Sequence, residues 1–360
     1  MLQKVWIKDV RNLSDLLFDL NQKQHCYIYG GNNQGKTSIL EAIYLASKQY
    51  SPIQSDISKI ISEKKKECLI GLDFSNQTKQ RIYARFTKDG KKDIRINNKK
   101  ETTKQAKKRA MIYISADALH LFQKEPDYRR KHLDAFCIQY YTDYEPLLRA
   151  YEKCLKQKNK YLKQENPLED ILKTYNQTLV DLAEKLVTFR QEAIKNIQTQ
   201  LNKDPFLFEN QQIAITYLFK NLPEGQNSSY KEKLLKRLQT DAFKEKILGY
   251  TLAGPHRDDF EVVVDQKKAF DYYSRGINRS LAILFQLAQV NLLSSTSEFS
   301  YLLLDDTFSE IDHENTQALI KKISQNNQII YATTTKQEYT YFTDACCYHI
   351  KQGQLTNETS

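Results

Sequence analysis

Glycine is scarce in this chain, with 10 in 360 residues, so a glycine-dependent motif rarely arises in it by chance. The six cysteines, Cys26, Cys68, Cys137, Cys154, Cys346 and Cys347, form no C-x-x-C, and no Cys/His pair has zinc spacing. Buried, reduced thiols are the expectation. The six histidines are scattered and suggest no metal site. No apolar run approaches the ~18 residues of a membrane span, so no membrane partner is expected. The opening "MLQKVWIKDVRNL" alternates, carries charge and lacks the apolar core of a signal peptide. A cytoplasmic location is expected.

What is present is ordinary for a globular protein: 40% hydrophobic and 27% charged residues, over a length that allows one large or two modest domains. The net charge is +10. Such an excess attracts polyanions, nucleic acid among them. A chain rich in Lys, Asn, Ile and Tyr could owe the same charge to an AT-rich genome.

The sharpest signal is "YIYGGNNQGKTSILEAIY", Tyr27 to Tyr44. Gly30, Gly31, Asn32, Asn33, Gln34, Gly35, Lys36 and Thr37 fit G-x-x-x-x-G-K-[ST], with Ser38 next. "CYIYG" reads as a short buried strand, and Ile39, Leu40, Ile43, Tyr44 and Ala46 mark a helical face. A loop between strand and helix gathers backbone N–H groups in one concavity, and the helix dipole adds about half a positive charge. Lys36 is placed to reach β- and γ-phosphates, and Thr37 to ligate Mg²⁺. Asn33 stands where many such loops carry Gly, which requires a left-handed Asn.

The second signal lies far downstream. In "FSYLLLDDTFSEID", Phe299 to Asp312, a continuous apolar run reads as a parallel strand buried on both faces. Two carboxylates follow at its C-terminal end, where ligands gather in open α/β sheets. Asp305 is the expected Mg²⁺ ligand, directly or through water, and Asp306 the group that orients the attacking water or acts as general base. "QIIYATTT", Gln328 to Thr335, reads as another buried strand, with Thr334 among hydroxyls that suit a γ-phosphate sensor. A third element, "YYSRGINRSLAILFQLAQVNLL", opens a long helix with Ser274, Arg275 and Gly276. A serine hydroxyl and glycine backbone at a helix start make a second anion site. In a dimer, it could close over a nucleotide held by the first.

These motifs together resemble the RecF family of the ABC/SMC ATPase superfamily. "IKDVRNL" is similar to the family's opening strand and FRN-type motif, and "YISADALHLFQKEPDYRRKHLD" to its double-arginine segment. "LAGPHRDDFEV" carries the family's GPHRDD box at Gly254 to Asp259. "SRGINRS" resembles the signature, and "LLLDDTFSEID" resembles Walker B with the D-loop that ends at Asp312. The chain departs from the pattern in having Ile277 where the signature usually has Gln, and no Gln near Met111 to Tyr113. Thr333 to Thr335 follow the last strand instead of a His.

The resemblance implies an α/β ABC-type ATPase head, a mixed sheet with a P-loop, carrying an inserted mainly helical lobe. Residues 1–110 and 250–360 are expected to form the ATPase lobe and 111–249 the inserted lobe. It further implies a weak, DNA-stimulated ATPase that uses ATP and Mg²⁺. The expected DNA partner is gapped, with single- and double-stranded parts. ATP-dependent homodimerisation and partners of the RecO, RecR and RecA type complete the implied set, with roles in repair, replication restart and the SOS response.

In the inserted region, Leu148, Tyr151, Leu155, Lys158 and Leu162 form a weak heptad. After Pro167, Leu168, Leu172, Tyr175, Leu179, Leu182, Leu186, Phe189 and Ala193 form a clear one. An antiparallel, coiled-coil-like hairpin is expected, or an ordinary helix pair packed within a domain. "QQIAITYLF" is a possible strand and "SYKEKLLKRLQTDAFKEKILG" helical. For DNA, residues 91–109 beside the turn "DGKKD" are the first candidate, and Arg129, Arg130 and Lys131 the second. Arg129 and Arg130 could equally form structural ion pairs. Alternatives to the RecF-like reading are another SMC-like DNA-bridging ATPase, and a DNA module that binds ATP with little or no hydrolysis. A transporter ATPase subunit is disfavoured by the long insertion before the signature. A fused nuclease is disfavoured because no acidic metal cluster follows Asp305.

Overall fold

The computed structural model describes residues 1–75, 79–102, 110–203, 211–222, 229–294, 300–309, 311–324 and 327–358. The chain begins with β1 (Leu2–Val10), β2 (Leu13–Asp19), β3 (His25–Tyr29) and α1 (Lys36–Lys48). Then come β4 (Glu67–Ser75), β5 (Lys79–Thr87), β6 (Lys92–Ile96), β7 (Lys99–Lys100) and β8 (Met111–Ser115). The middle holds α2 (Pro126–Tyr140), α3 (Tyr144–Leu162), α4 (Glu169–Lys203), β9 (Ile213–Leu218), α5 (Tyr230–Thr240) and α6 (Ala242–Leu248). It continues with β10 (Asp259–Val264), β11 (Lys267–Lys268) and α7 (Ala269–Tyr272). The chain ends with α8 (Arg275–Ser294), β12 (Ser300–Asp305), α9 (His313–Ser324), β13 (Asn327–Thr333), β14 (Ala345–Lys351) and β15 (Gln354–Asn357).

Two compact units result: Met1–His120 with Arg275–Ser360, and Leu121–Ser274. The sequence reading put these boundaries at 110 and 249. They fall elsewhere because β8 hydrogen-bonds to β12, holding 111–115 in the first unit, and β10 pairs with β9, holding 259–264 in the second.

The first unit contains two sheets. One has the order β15-β14-β3-β13-β12-β8, parallel except for the β14–β15 hairpin. Its inner strands are mainly apolar at their centres, as strands covered on both faces must be, and all seven residues of β13 are buried. The other sheet, β2-β1-β4-β5-β6-β7, is antiparallel. Along β4 and β5 burial alternates, so only one face reaches the core. Helix α1 packs against strands of both sheets, which explains why its polar Ser47, Lys48 and Glu41 are buried along with its apolar residues. The expected turn at Asp89-Gly90 joins β5 to β6, with Gly90 at φ 81°. All six cysteines are buried and unbridged.

In the second unit α3 and α4 run antiparallel. The Tyr144 ring meets Phe189 at 5.8 Å, and the Tyr161 ring meets Tyr175 at 6.1 Å beside the turn. Leu172, Leu179, Leu186 and Ala193 are buried as the heptad requires, whereas Leu168 is exposed. Buried Asn176, Val180, Ala183, Val187, Arg190 and Ile194 widen the stripe beyond a two-helix seam, since α4 also packs on β9 and α5. Lys158, at a heptad position of α3, is buried and paired with buried Glu245 at 2.6 Å. β9 is present, and the single stretch expected to be helical holds two helices, α5 and α6.

The GPHRDD box turns into this unit. Arg190 donates to both carboxylate oxygens of Asp134, at 2.8 and 2.9 Å, and to the Pro255 carbonyl at 2.7 Å. His256 shares a 2.6 Å bond with Tyr151, and burial holds its imidazole down at about 4. Asp258 accepts from the Lys220 amide and the Tyr217 hydroxyl, and burial pushes its carboxyl up to about 7. Asp259 receives a two-pronged bond from Arg129, at 2.8 and 2.7 Å. Arg257 is the exposed member, its guanidinium over the Tyr250 ring.

Candidate nucleotide-binding site

The loop from Gly30 to Gly35 leaves β3 and enters α1, with Gly35 at φ 112° as the helix N-cap and Asn33 left-handed at φ 59°. A Cβ at Gly30 would lie 2.3 Å from the Ile350 carbonyl oxygen and 2.9 Å from its Cγ2. At Gly31 the nearest neighbour would be Gln34 Cγ at 3.9 Å. Gly30→Ala is therefore expected to weaken ATP binding about tenfold, the cost of overpacking against backbone, and Gly31→Ala to change it far less. Titration with a fluorescent ATP analogue checks the pair; equal effects would refute the steric account.

Neighbouring segments brace the loop. Asn12 donates to the Asn33 carbonyl at 3.4 Å and accepts from Ser38 at 3.0 Å. Gln34 receives the backbone amides of Gln352 and Gly353 from the β14–β15 turn. Arg11 donates to buried Glu41 at 2.5 Å. The "RNL" motif is thus the part of the opening segment that shapes the loop.

β13 lies between β3 and β12, so Thr333 at its end touches both halves of the site. Its carbonyl accepts from the Gly30 amide at 3.2 Å, and its hydroxyl donates to Asp306 at 3.1 Å. Thr334, singled out from the sequence, is exposed one residue beyond the strand. The Lys36 ammonium donates to the carbonyls of Gly30 and Gly31, both at 2.8 Å. Burial lowers its pKa, opposed by Asp306 and Asp305.

Asp305 ends β12, and its Oδ2 accepts from Thr37 at 2.8 Å and from Tyr113 at 2.6 Å. Burial raises its carboxyl above the usual range, against those two hydrogen bonds. Asp306 takes a left-handed backbone at φ 51°, its amide donating to Ala332. Asp312 is exposed and its carboxylate caps α9, accepting from the Asn315 amide and side chain at 2.9 and 2.7 Å. Gly276 meets open space and Ile277 is exposed at the start of α8; Ser274 is the exposed residue before it. The sequence named Thr333 among the strand's hydroxyls but not its contacts, and it gave Tyr113 no role. The absent Gln near Tyr113 was the one hint.

The donor set fits Mg²⁺. A hydroxyl and a carboxylate 2.8 Å apart are hard oxygen donors, and Mg²⁺ takes one or two carboxylates beside phosphate and water. Among the described residues no group of three or more His, Cys, Asp or Glu gathers to form an all-protein cage. No described helix is long and apolar enough to cross a membrane.

A phosphate loop and an acidic strand on one parallel sheet, with an antiparallel sheet on the other side of the loop's helix, define an ABC-type ATPase head. The sequence profile of the RecF/RecN/SMC N-terminal domain family matches residues 1–356. This chain belongs to that family, and within it to the RecF branch. It is similar to the DNA replication and repair protein RecF of Streptococcus pneumoniae, 31% identical over 93% of this chain and 92% of the relative. To RecF of Lactobacillus gasseri it is 28% identical over 98% of both chains. The solved structure of the recombination mediator protein RecF with ATP, in the RecFOR pathway, superposes with a TM-score of 0.85 at 25% identity, over 99% of this chain and 97% of that one.

Proposed function

We propose that this chain is a cytoplasmic DNA-repair ATPase that binds ATP and Mg²⁺ at the Gly30–Ser38 loop and dimerises on gapped DNA. The observation that carries the reading is the joining of loop and acidic strand: Thr37 to Asp305, and Thr333 to both Gly30 and Asp306. Lys36 and the loop amides hold the β- and γ-phosphates. Thr37 and Asp305 would hold Mg²⁺, which would supply neutralisation of charge on the phosphates. Asp306 orients the attacking water and takes its proton, while Thr334 stands at the γ-phosphate as the sensor. Phosphoryl transfer needs positioning and charge neutralisation more than covalent chemistry, which suits these fixed groups.

Ser274 of a second copy, exposed at a helix start, and Gly276, where a side chain would meet open space, supply the other half of the phosphate site. Asp312, beyond its cap, lies on the D-loop that faces that copy. Slow hydrolysis, stimulated by DNA, opens the dimer. By family likeness it works with RecO-, RecR- and RecA-type proteins at single-strand/double-strand junctions. Its setting is recombinational repair, replication restart and the SOS response.

On DNA, the cations of β6 and β7 are the contacts. Lys92, Lys99 and Lys100 are exposed, and Lys91 and Arg95 hold only surface pairs with Asp89 and Asp93 that phosphates can displace. Residues 103–109 of the same stretch lie outside the described residues. Arg129 is instead a structural ion pair with Asp259.

Sedimentation with ATP, ADP or no nucleotide, with and without gapped DNA, tests the reading. Wild type is expected to dimerise with ATP, Lys36→Ala not to bind ATP, and Ser274→Arg to bind ATP yet remain monomeric. Normal ATP-driven dimerisation of Ser274→Arg would sink the sandwich. The exposed Ile277 in place of the signature Gln favours a second reading, ATP binding without turnover. A turnover assay with gapped DNA separates the two.

A further inference from the structure

The stretch Met111–Tyr113, which has no glutamine, brings a hydroxyl to the acidic strand instead. Tyr113 lies on β8 opposite Leu303 of β12, so its side chain runs along the sheet toward the carboxylate two residues further on. Its hydroxyl donates to Asp305 Oδ2 at 2.6 Å, the same oxygen that accepts from Thr37 at 2.8 Å. The ring is part-buried and steeply inclined to that of Tyr44, whose own hydroxyl is tied to Tyr50 at 2.8 Å.

We propose that Tyr113 is a positioning residue for the divalent cation that accompanies ATP, acting through Asp305. A threonine hydroxyl has one proton to donate and lone pairs to spare. While its proton points at Asp305, the lone pairs of Thr37 point away from Asp305, available to a cation. That orientation depends on Asp305 staying in place. Tyr113 holds it from the opposite strand, and as a neutral donor it leaves the carboxylate its charge. Carboxylates that ligate or orient metals are themselves hydrogen-bonded, and removing such an outer partner typically costs 10–100-fold in metal affinity.

The inference rests on the reading that Thr37 and Asp305 form the Mg²⁺ site, and the experiment separates the two. Affinity for a fluorescent ATP analogue is measured in EDTA and in saturating Mg²⁺, and the ratio gives the coupling between metal and nucleotide. Tyr113→Phe keeps the ring and removes the hydroxyl. The coupling is expected to fall about tenfold while affinity in EDTA stays unchanged. Asp305→Asn is expected to abolish the coupling. Full coupling in Tyr113→Phe beside lost coupling in Asp305→Asn overturns the role of Tyr113 alone. Equal weakening of Tyr113→Phe with and without Mg²⁺ overturns it too, since a general disturbance of the site would do that. Coupling retained in Asp305→Asn overturns the metal site itself, and the inference with it.

Discussion

Arg190→Ala is expected to destabilise the helical unit by about 3–5 kcal/mol, the range for removing one partner of a buried ion pair. Arg190 is 3% exposed and binds Asp134 with two parallel bonds, along with the Pro255 carbonyl and the Tyr144 and Tyr217 hydroxyls. These partners lie on α2, α3, β9 and the GPHRDD turn, so one guanidinium ties four segments distant in sequence. Truncation leaves the Asp134 carboxylate with little solvent and no cation. Arg190→Lys is expected to rescue only part of the loss, because an ammonium cannot reproduce the planar two-pronged contact. Urea unfolding followed by circular dichroism measures both variants. A loss under 1 kcal/mol for Arg190→Ala would show that the network is not what holds these segments.

Asp306→Asn is expected to lower ATP turnover about 10²–10⁴-fold, the usual contribution of a positioned general base, while leaving ATP affinity within a few-fold. The amide has the carboxylate's shape, and its oxygen can still accept from Thr333, so the loop geometry carried by Thr333 survives. What it cannot do is take a proton. With hydrolysis blocked, the ATP-bound dimer should persist on gapped DNA longer than wild type. Single-turnover phosphate release and dissociation from labelled DNA give the two readouts. Wild-type turnover in this variant would remove Asp306 from the chemistry and leave Thr333 as its remaining role.

The nucleotide loop was legible because its chemistry is local. Glycine spacing, a terminal Lys-Thr and a following helical pattern are consecutive in the chain, and Asn33 adopts the left-handed backbone its position demands. The acidic strand was legible because burial on both faces leaves an unbroken apolar run before the two aspartates. The heptads announced the hairpin, yet not the burial of Lys158, since its partner Glu245 lies on a helix the period does not reach. The contacts of Thr333 were hidden for a similar reason: Thr333 and Thr334 are both threonines at a strand end, and only the fold decides which one faces Asp306.

By itself the sequence determined the presence of a phosphate loop, an acidic strand, a serine-glycine helix start and an inserted helical region, because each is written in neighbouring residues. Tertiary structure alone decided which distant residues complete them. Strand order places Thr333 between the loop and Asp306, and pairing of β8 with β12 aims Tyr113 at Asp305. The fold of the GPHRDD turn makes its aspartates interior groups and leaves its histidine half-buried. The hydrogen bond from Tyr113 to Asp305 joins residues 192 positions apart, and no local spacing records which strands become neighbours.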